Sequence, residues 1–73
     1  MKQIAIETDN IQLDQFLKWS GIIDSGGQAG YMVAAGKITL NGKKETARRR
    51  KLYPGDILFI EDQGSFEIIR QGN

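Results

Sequence analysis

The residues of this chain that are best suited to chemistry are basic, and they lie close together. Residues 37–51 hold seven of the ten basic side chains and one acid, Glu45, which gives this segment a charge of +6. The rest of the chain carries a charge of −5, so the net charge of +1 conceals a strong segregation. Lys and Arg side chains at such density neutralise phosphates and release condensed counterions. We therefore predict a polyanion-binding segment, whose basic residues are Lys37, Lys43, Lys44, Arg48, Arg49, Arg50 and Lys51.

The composition excludes most catalytic and metal-binding sites. The chain has no His and no Cys, which removes the commonest general base and metal ligand and any disulfide. Its acids are scattered over different predicted elements, and no spacing brings two of them together as a carboxylate-pair hydrolase requires. We therefore expect a protein that is not an enzyme and that uses no cofactor, metal ion or small-molecule substrate.

Two turns position the basic segment. Asn41-Gly42 lies between an alternating apolar stretch and a polar one, and both central residues of a type I′ turn need positive φ, so a β-hairpin is predicted here. The hairpin directs its lysines outward. Pro54-Gly55 predicts a second turn, in which the side chain of Asp56 bonds nearby backbone amides.

A first helix is predicted after residues 8–10, where Thr, Asp and Asn are candidate N-caps. Leu13, Phe16 and Leu17 have the spacing of one buried helical face. Gly21 suits the left-handed position that follows a helix. The sequence therefore predicts a short amphipathic helix that ends near residue 20.

A second helix is predicted to begin at Ser25, because Gln28 three residues later completes a capping box. The glycines at positions 26, 27 and 30 each cost about 1 kcal/mol relative to Ala inside a helix. Two explanations stay open: bare backbone lets a phosphate approach the helix start, or the glycines let the two helices pack closely. The buried side of this helix is predicted to consist of Ala29, Met32 and Val33.

Strands account for the rest of the chain. Residues 3–7 alternate as a half-buried strand does, Ile57–Ile60 is a continuous apolar run expected to be the most buried strand, and residues 66–69 form a last strand. The order β-α-α-β-β-β-β predicts one α+β domain over residues 1–73, with two short helices on one side of a small antiparallel sheet.

Three aromatic residues, Trp19, Tyr31 and Tyr53, are candidates for stacking on an unpaired nucleic-acid base. For Trp19, at the flank of the first helix, and for Tyr31, partial burial at the domain edge is the favoured interpretation. Tyr53 is the better candidate for such contact because it adjoins the basic run.

Targeting signals are not evident. No apolar run approaches the roughly 18 residues of a membrane span, and the N-terminus lacks the apolar core of a signal peptide. We expect a cytoplasmic protein without membrane contacts. A monomer is expected, although the edge strands of so small a sheet could pair.

The chain contains an ordered series of motifs, which are Leu13-Asp14-x-Phe16-Leu17, Gly21-Ile22, Ser25-x-x-x-Ala29, Gly36-x-Ile38-x-Leu40-Asn41-Gly42 and Leu52-x-x-Gly55-Asp56. This series resembles the alpha-L RNA-binding motif. That small domain was first described in ribosomal small-subunit protein four, and it occurs in pseudouridine synthases, bacterial tyrosyl-tRNA synthetases and a heat-shock protein that binds ribosomal particles. The chain looks most like the small stand-alone bacterial members of the YbcJ and YaaA type.

The resemblance implies that the two helices and the hairpin form a surface for structured RNA, contacted largely at phosphates. Many members of the family place Arg or Lys where this chain has Gly26, so either the affinity is lower or the contacts move to residues 43–51. The RNA-binding residues expected on these grounds are Ser25, Gly26, Gly27, Gln28, Lys37, Asn41, Lys43, Lys44, Arg48, Arg49, Arg50, Lys51 and Tyr53.

The leading hypothesis is an RNA-binding module for rRNA or a tRNA-like element, acting in translation or ribosome assembly and contacting ribosomal particles. One alternative is a helix-turn-helix DNA-binding protein, but residues 26–35 offer only Gln28 to read base edges. The other is a protein-interaction adaptor that uses its basic face on an acidic partner. A preference for RNA over duplex DNA would distinguish the RNA-binding module from the helix-turn-helix protein.

Overall fold

Two short helices and seven strands form the fold in the computed structural model, which describes residues 1–72. The helices are α1 (Leu13–Trp19) and α2 (Gly26–Ala34). The strands are β1 (Lys2–Ile6), β2 (Ile11–Gln12), β3 (Ile38–Leu40), β4 (Lys43–Lys44), β5 (Lys51–Leu52), β6 (Ile57–Ile60) and β7 (Gly64–Arg70). This is the predicted α+β fold. Within the described residues, neither helix has the length and apolar character needed to cross a membrane.

The main sheet has five strands in the order β1-β7-β6-β3-β4. β6 lies at its centre and pairs antiparallel with β7 and β3, and β3 pairs antiparallel with β4. β1 pairs with β7 in parallel, with Ile4 opposite Ile68. The sheet is therefore mostly antiparallel, as predicted, with one parallel pair at its edge.

A second, two-stranded ladder connects the start of α1 to the end of the basic segment. In this ladder β2 and β5 run antiparallel, with Ile11 opposite Leu52 and Gln12 opposite Lys51. Each strand has only two residues, which is too short to leave a periodic pattern in the sequence.

The N-terminus of α1 differs from the prediction. The helix begins at Leu13 with no side-chain cap, so the prediction of an N-cap among residues 8–10 is wrong. The amide of Leu13 donates to the carbonyl of Arg50 at 2.8 Å, and that of Asp14 donates to the carbonyl of Arg48 at 2.9 Å. A helix leaves its first four amides without intrahelical acceptors. Backbone atoms of the basic segment supply two of the missing acceptors.

The start of α2 agrees with the predicted capping box. The Oε1 atom of Gln28 accepts from the amide of Asp24 at 2.7 Å and from that of Ser25 at 3.2 Å. Of the residues predicted to form its buried side, Ala29 and Val33 are buried, and Met32 is partly buried against the core.

One cluster of buried residues joins both helices to one face of the sheet. Phe16 and its two predicted partners on α1 are fully buried. On β6 the side chains alternate: Leu58 and Ile60 are fully buried, whereas Phe59 is 45% exposed. Residues 57–60 thus form the predicted strand, but it is buried on one face only. The reason is that the helices cover one face of the sheet only, and successive side chains of a strand point to opposite faces.

Candidate nucleic-acid interface

The turn of the β3–β4 hairpin has the predicted backbone conformation, with φ of 50° at Asn41 and 87° at Gly42. The Nδ2 atom of Asn41 donates to Asp56 Oδ1 at 3.0 Å, and its Oδ1 atom accepts from the amide of Ile57 at 2.8 Å. Both polar groups of the Asn41 side chain are thus engaged within the domain. They fasten the hairpin to the turn that precedes β6.

That second turn also has the predicted form. Gly55 has a φ of 98°, and the amide of Asp56 donates to the carbonyl of Tyr53 at 3.0 Å. The Oδ2 atom of Asp56 in return accepts from the amide of Tyr53 at 2.8 Å. The Asp56 carboxylate therefore holds both the hairpin and the Tyr53 backbone in place.

Glu45 is the one buried charged side chain among residues 1–72, and it is 5% exposed. Its Oε2 atom accepts from the amides of Thr46 and Ala47, both at 2.9 Å, and its Oε1 atom accepts from Arg50 Nε at 2.9 Å. Burial by itself raises the pKa of Glu45, but the hydrogen bonds from Ala47, Arg50 and Thr46 outweigh it and hold the pKa below its ordinary value. Glu45 is thus ionised at neutral pH and fixes the loop that carries the arginines.

The backbone of this loop is held at further points. Besides the two carbonyls that accept from α1, the amide of Arg50 donates to the carbonyl of Ala47 at 3.1 Å. The loop is therefore formed before any ligand arrives. A backbone held in this way has little conformational freedom left to lose on binding, which favours affinity.

Among residues 1–72, five cations of the basic segment are exposed and have no acidic partner. The ion pairs among residues 1–72 are those of Lys37 with Glu61 at 3.7 Å, Arg50 with Glu45, and Arg70 with an exposed aspartate. The remaining cations of the segment project into solvent from the hairpin and the loop. We refer to them as the basic surface, which consists of Lys43, Lys44, Arg48, Arg49 and Lys51.

Two open concavities flank Arg50 on this surface. One has a volume of about 430 Å³ and its lining includes Lys43 and Lys44. The other has a volume of about 550 Å³, and its lining includes Arg49 and Tyr53. Tyr53 is 49% exposed, so an aromatic ring lies beside cations of the basic surface. Proteins that bind unpaired bases commonly combine these two side-chain types.

Helix α2 lies alongside the basic surface. A Cβ atom built on Gly30 would lie 3.7 Å from Cδ of Arg48, and one built on Gly36 would lie 3.0 Å from Nζ of Lys44. A Cβ atom on Gly26 or on Gly27 would meet no atom within 4 Å. Close helix packing therefore does not explain these two glycines, and the start of α2 is bare backbone that a ligand can approach.

The structure separates four predicted site residues from the basic surface. Ser25, Gly27, Gln28 and Lys37 line a different groove, which they share with Tyr31. The Oε1 atom of Gln28 is occupied by the helix cap, and Lys37 is half-buried and paired with Glu61.

Sequence reasoning missed the role of Glu45, which it counted only as an acid among bases. The available signal was its position, since a single carboxylate inside a dense basic run is favourably placed to pair with one of its neighbours. Trp19 and Tyr31, for which partial burial was expected, are 56% and 68% exposed. The Nε1 atom of Trp19 donates to the carbonyl of Ala5 on edge strand β1 at 3.0 Å.

Comparison with known proteins agrees with the ordered motifs and with the fold. The S4 domain family matches residues 4–69, a range that includes both helices, the hairpin and the whole basic surface. The chain is 41% identical over 66 residues to a protein of Bacillus subtilis (strain 168) named "Probable ribosome maturation protein RlbA", and the alignment covers 90% of this chain and 93% of that protein. The chain belongs to the S4 domain family.

Proposed function

We propose that this chain is a non-enzymatic RNA-binding protein that recognises folded RNA by shape and backbone. The observation that carries the proposal is the basic surface. Its five exposed cations have no acidic partner among residues 1–72, and they stand on a hairpin and loop fixed by internal hydrogen bonds. Each phosphate that such a cation neutralises releases counterions, and the affinity then falls as the salt concentration rises. The target is rRNA or a tRNA-like element.

Two neighbouring features extend the contact beyond phosphate neutralisation. Tyr53 offers a ring on which an unpaired base can stack. The bare backbone at Gly26 lets a phosphate come close to backbone amides at the positive end of the helix dipole. Arg50 and Asn41 support the surface through their internal bonds.

The similarity to the Bacillus subtilis protein supports a cellular role. That relative is named a probable ribosome maturation protein, and the alignment spans nearly the full length of both chains. We therefore place this chain in the maturation of ribosomal particles, in the cytoplasm, with RNA of those particles as its partner.

Fluorescence anisotropy with a labelled rRNA hairpin and a duplex DNA of equal length, over a series of salt concentrations, tests the proposal. We expect preference for the RNA and a salt dependence that reports several phosphate contacts. Equal weak binding to the RNA and the DNA would indicate that the basic surface binds polyanions without selecting RNA. Preference for the DNA would revive the helix-turn-helix interpretation.

Two triple variants locate the site. Replacing Arg48, Arg49 and Lys51 with Gln removes three cations of the basic surface and leaves the Glu45–Arg50 pair intact. Replacing Lys2, Lys18 and Arg70 with Gln removes the same charge elsewhere. We expect the first variant to lose RNA binding and the second to retain it. Equal losses would show that net charge alone determines the affinity.

A further inference from the structure

A second concave surface is built from residues that RNA binding does not use. It is an open groove of about 540 Å³ between the α1–α2 connection, α2 and the β6–β7 turn. Its apolar lining comprises Ile22, Ile23, Tyr31 and Met32. Tyr31 is 68% exposed, which is unusual for a residue of this size and leaves most of its ring available to a partner.

The rim of this groove is acidic. Glu61 and Asp62 line it from the β6–β7 turn, and Asp24 is exposed between two lining residues of the helix connection. The only cation of the lining, Lys37, pairs with Glu61 at 3.7 Å. The carboxylates of Asp24 and Asp62 therefore have no cation of the lining paired with them. They give the rim of this groove a negative charge, in contrast to the basic surface.

The groove and the basic surface lie on different flanks of α2. Gln28 lines the groove, whereas Gly30 faces Arg48 of the basic surface. At 3.6 residues per turn these two positions project about 200° apart. A ligand in the groove would thus leave the basic surface free.

We propose that this groove binds a basic polypeptide segment that carries an apolar anchor residue, such as the Lys- or Arg-rich arm of a second RNA-binding protein. The floor accepts the anchor beside Tyr31, and the acidic rim pairs with the flanking cations. RNA is the wrong ligand here because its phosphates would be repelled by the same carboxylates. Basic arms of this kind are a common feature of proteins that bind nucleic acid.

The sequence around Tyr31 fits an anchor pocket. Tyr31 and Gly27 both line the groove and lie about one helical turn apart. A Cβ atom on Gly27 would meet nothing within 4 Å. The space beside the ring is therefore open, and a side chain of the partner can enter it.

The probe for this site is a fluorescein-labelled peptide of twelve residues made of Lys and Leu, titrated into the protein without RNA. A Lys/Ser peptide of the same charge tests whether binding needs the apolar anchor residue. A Glu/Leu peptide tests whether binding needs positive charge opposite the acidic rim. Amide shifts of the isotopically labelled protein locate the contact. We expect binding of the Lys/Leu peptide only, with the largest shifts at Ile22, Gln28, Tyr31 and Asp62.

Matched variants make the result decisive. Tyr31→Ala should weaken the Lys/Leu peptide about tenfold or more, as loss of a central aromatic anchor does, whereas Tyr53→Ala should not. Asp62→Asn should weaken it several-fold because it removes a rim charge while Asn tolerates the φ of 72° found there. Glu67→Gln, on the other face of the sheet, should have no effect.

Three results would overturn the proposal. They are absence of Lys/Leu binding at millimolar concentration, equal binding of the Glu/Leu peptide, and shifts confined to other surfaces. Shifts of Tyr31 on addition of the rRNA hairpin, with none on addition of peptide, would assign the groove to RNA instead. Since the peptide titration contains no RNA, failure of RNA binding would leave this result unaffected.

Discussion

Arg50 donates from its Nε atom to Glu45 Oε1 at 2.9 Å, while its own backbone carbonyl accepts from the amide of Leu13 at 2.8 Å. The guanidinium of Arg50 therefore binds the carboxylate of Glu45, and the backbone carbonyl of Arg50 binds the start of α1. Arg50 and Arg49 are neighbours in the sequence, yet only Arg49 is an exposed cation without an acidic partner in the described part of the chain. This division of roles inside the basic run can be measured.

Arg49→Ala should reduce both the RNA affinity and its salt dependence. Loss of one phosphate contact lowers the slope of log K against log salt by about 0.7–0.9. Arg50→Ala should lower affinity by loosening the loop, with the slope unchanged, and should also cost about 1 kcal/mol of stability because it breaks the bond to Glu45. Anisotropy titrations at four salt concentrations, with urea unfolding of each variant, measure both quantities. A reduced slope for Arg50→Ala would make Arg50 a direct phosphate contact.

Glu45→Gln should change how stability depends on pH. The lowered pKa of Glu45 means that its stabilising contribution is complete above the unfolded-state pKa, about 4.3, and is lost as the pH falls through the folded-state pKa. The variant should be less stable than the parent at pH 7 by about 1–2 kcal/mol, and the difference should narrow below about pH 4. Thermal unfolding between pH 3 and pH 8 tests this, with exposed Glu7→Gln as the control. A difference that stays constant with pH would contradict it.

Asn41→Ala should destabilise the protein more than Asn41→Gly does. Both variants lose the side-chain bonds to Asp56 and Ile57, but only Ala carries the additional cost of a φ of 50°, which is about 1–2 kcal/mol. The total cost for Ala should be about 2–3 kcal/mol. Urea denaturation midpoints provide the comparison. Equal midpoints for the two variants would show that the left-handed conformation is not strained at this position.

Gly30→Ala and Gly26→Ala should separate helix stability from RNA binding. Both sites have room for a methyl group, since the nearest atom to a Cβ on Gly30 would be 3.7 Å away and Gly26 has none within 4 Å. Each change should stabilise the protein by up to about 1 kcal/mol, which raises Tm by several degrees in a domain of this size.

Only Gly26→Ala should also weaken RNA binding, because its methyl group would obstruct the bare start of α2. Anisotropy and thermal unfolding of the same two preparations give the comparison. Unchanged RNA affinity in the stabilised Gly26→Ala protein would remove the helix start from the proposed interface.

The features that the sequence predicted depend on residues a few positions apart. Asn41-Gly42 determines its own turn, Gln28 caps the helix that begins three residues earlier, and Asp56 binds the amide of Tyr53 within one turn. For such features, the residue types and their spacing contain nearly all the physical information. The charge of the basic segment could be read in the same way.

The features that the sequence did not predict depend on contacts between distant segments. Local propensity favoured an N-cap among residues 8–10, but α1 takes its acceptors from the carbonyls of Arg48 and Arg50. The exposure of Phe59 follows from the helices covering one sheet face only. The different roles of Arg49 and Arg50 likewise depend on the position of the buried carboxylate of Glu45, which no local pattern specifies.

The first amides of α1 donate to the carbonyls of Arg48 and Arg50. Folding of α1 therefore depends on residues that are synthesised after it. Seven residues form too short a helix to be stable alone in water, and α1 is translated well before residues 48–50. The nascent chain must therefore wait on the order of seconds, at usual elongation rates, until the acceptors for Leu13 and Asp14 exist. We expect an unfinished chain to have neither a complete α1 nor an ordered loop at residues 45–50. RNA recognition therefore begins only once this loop has been synthesised.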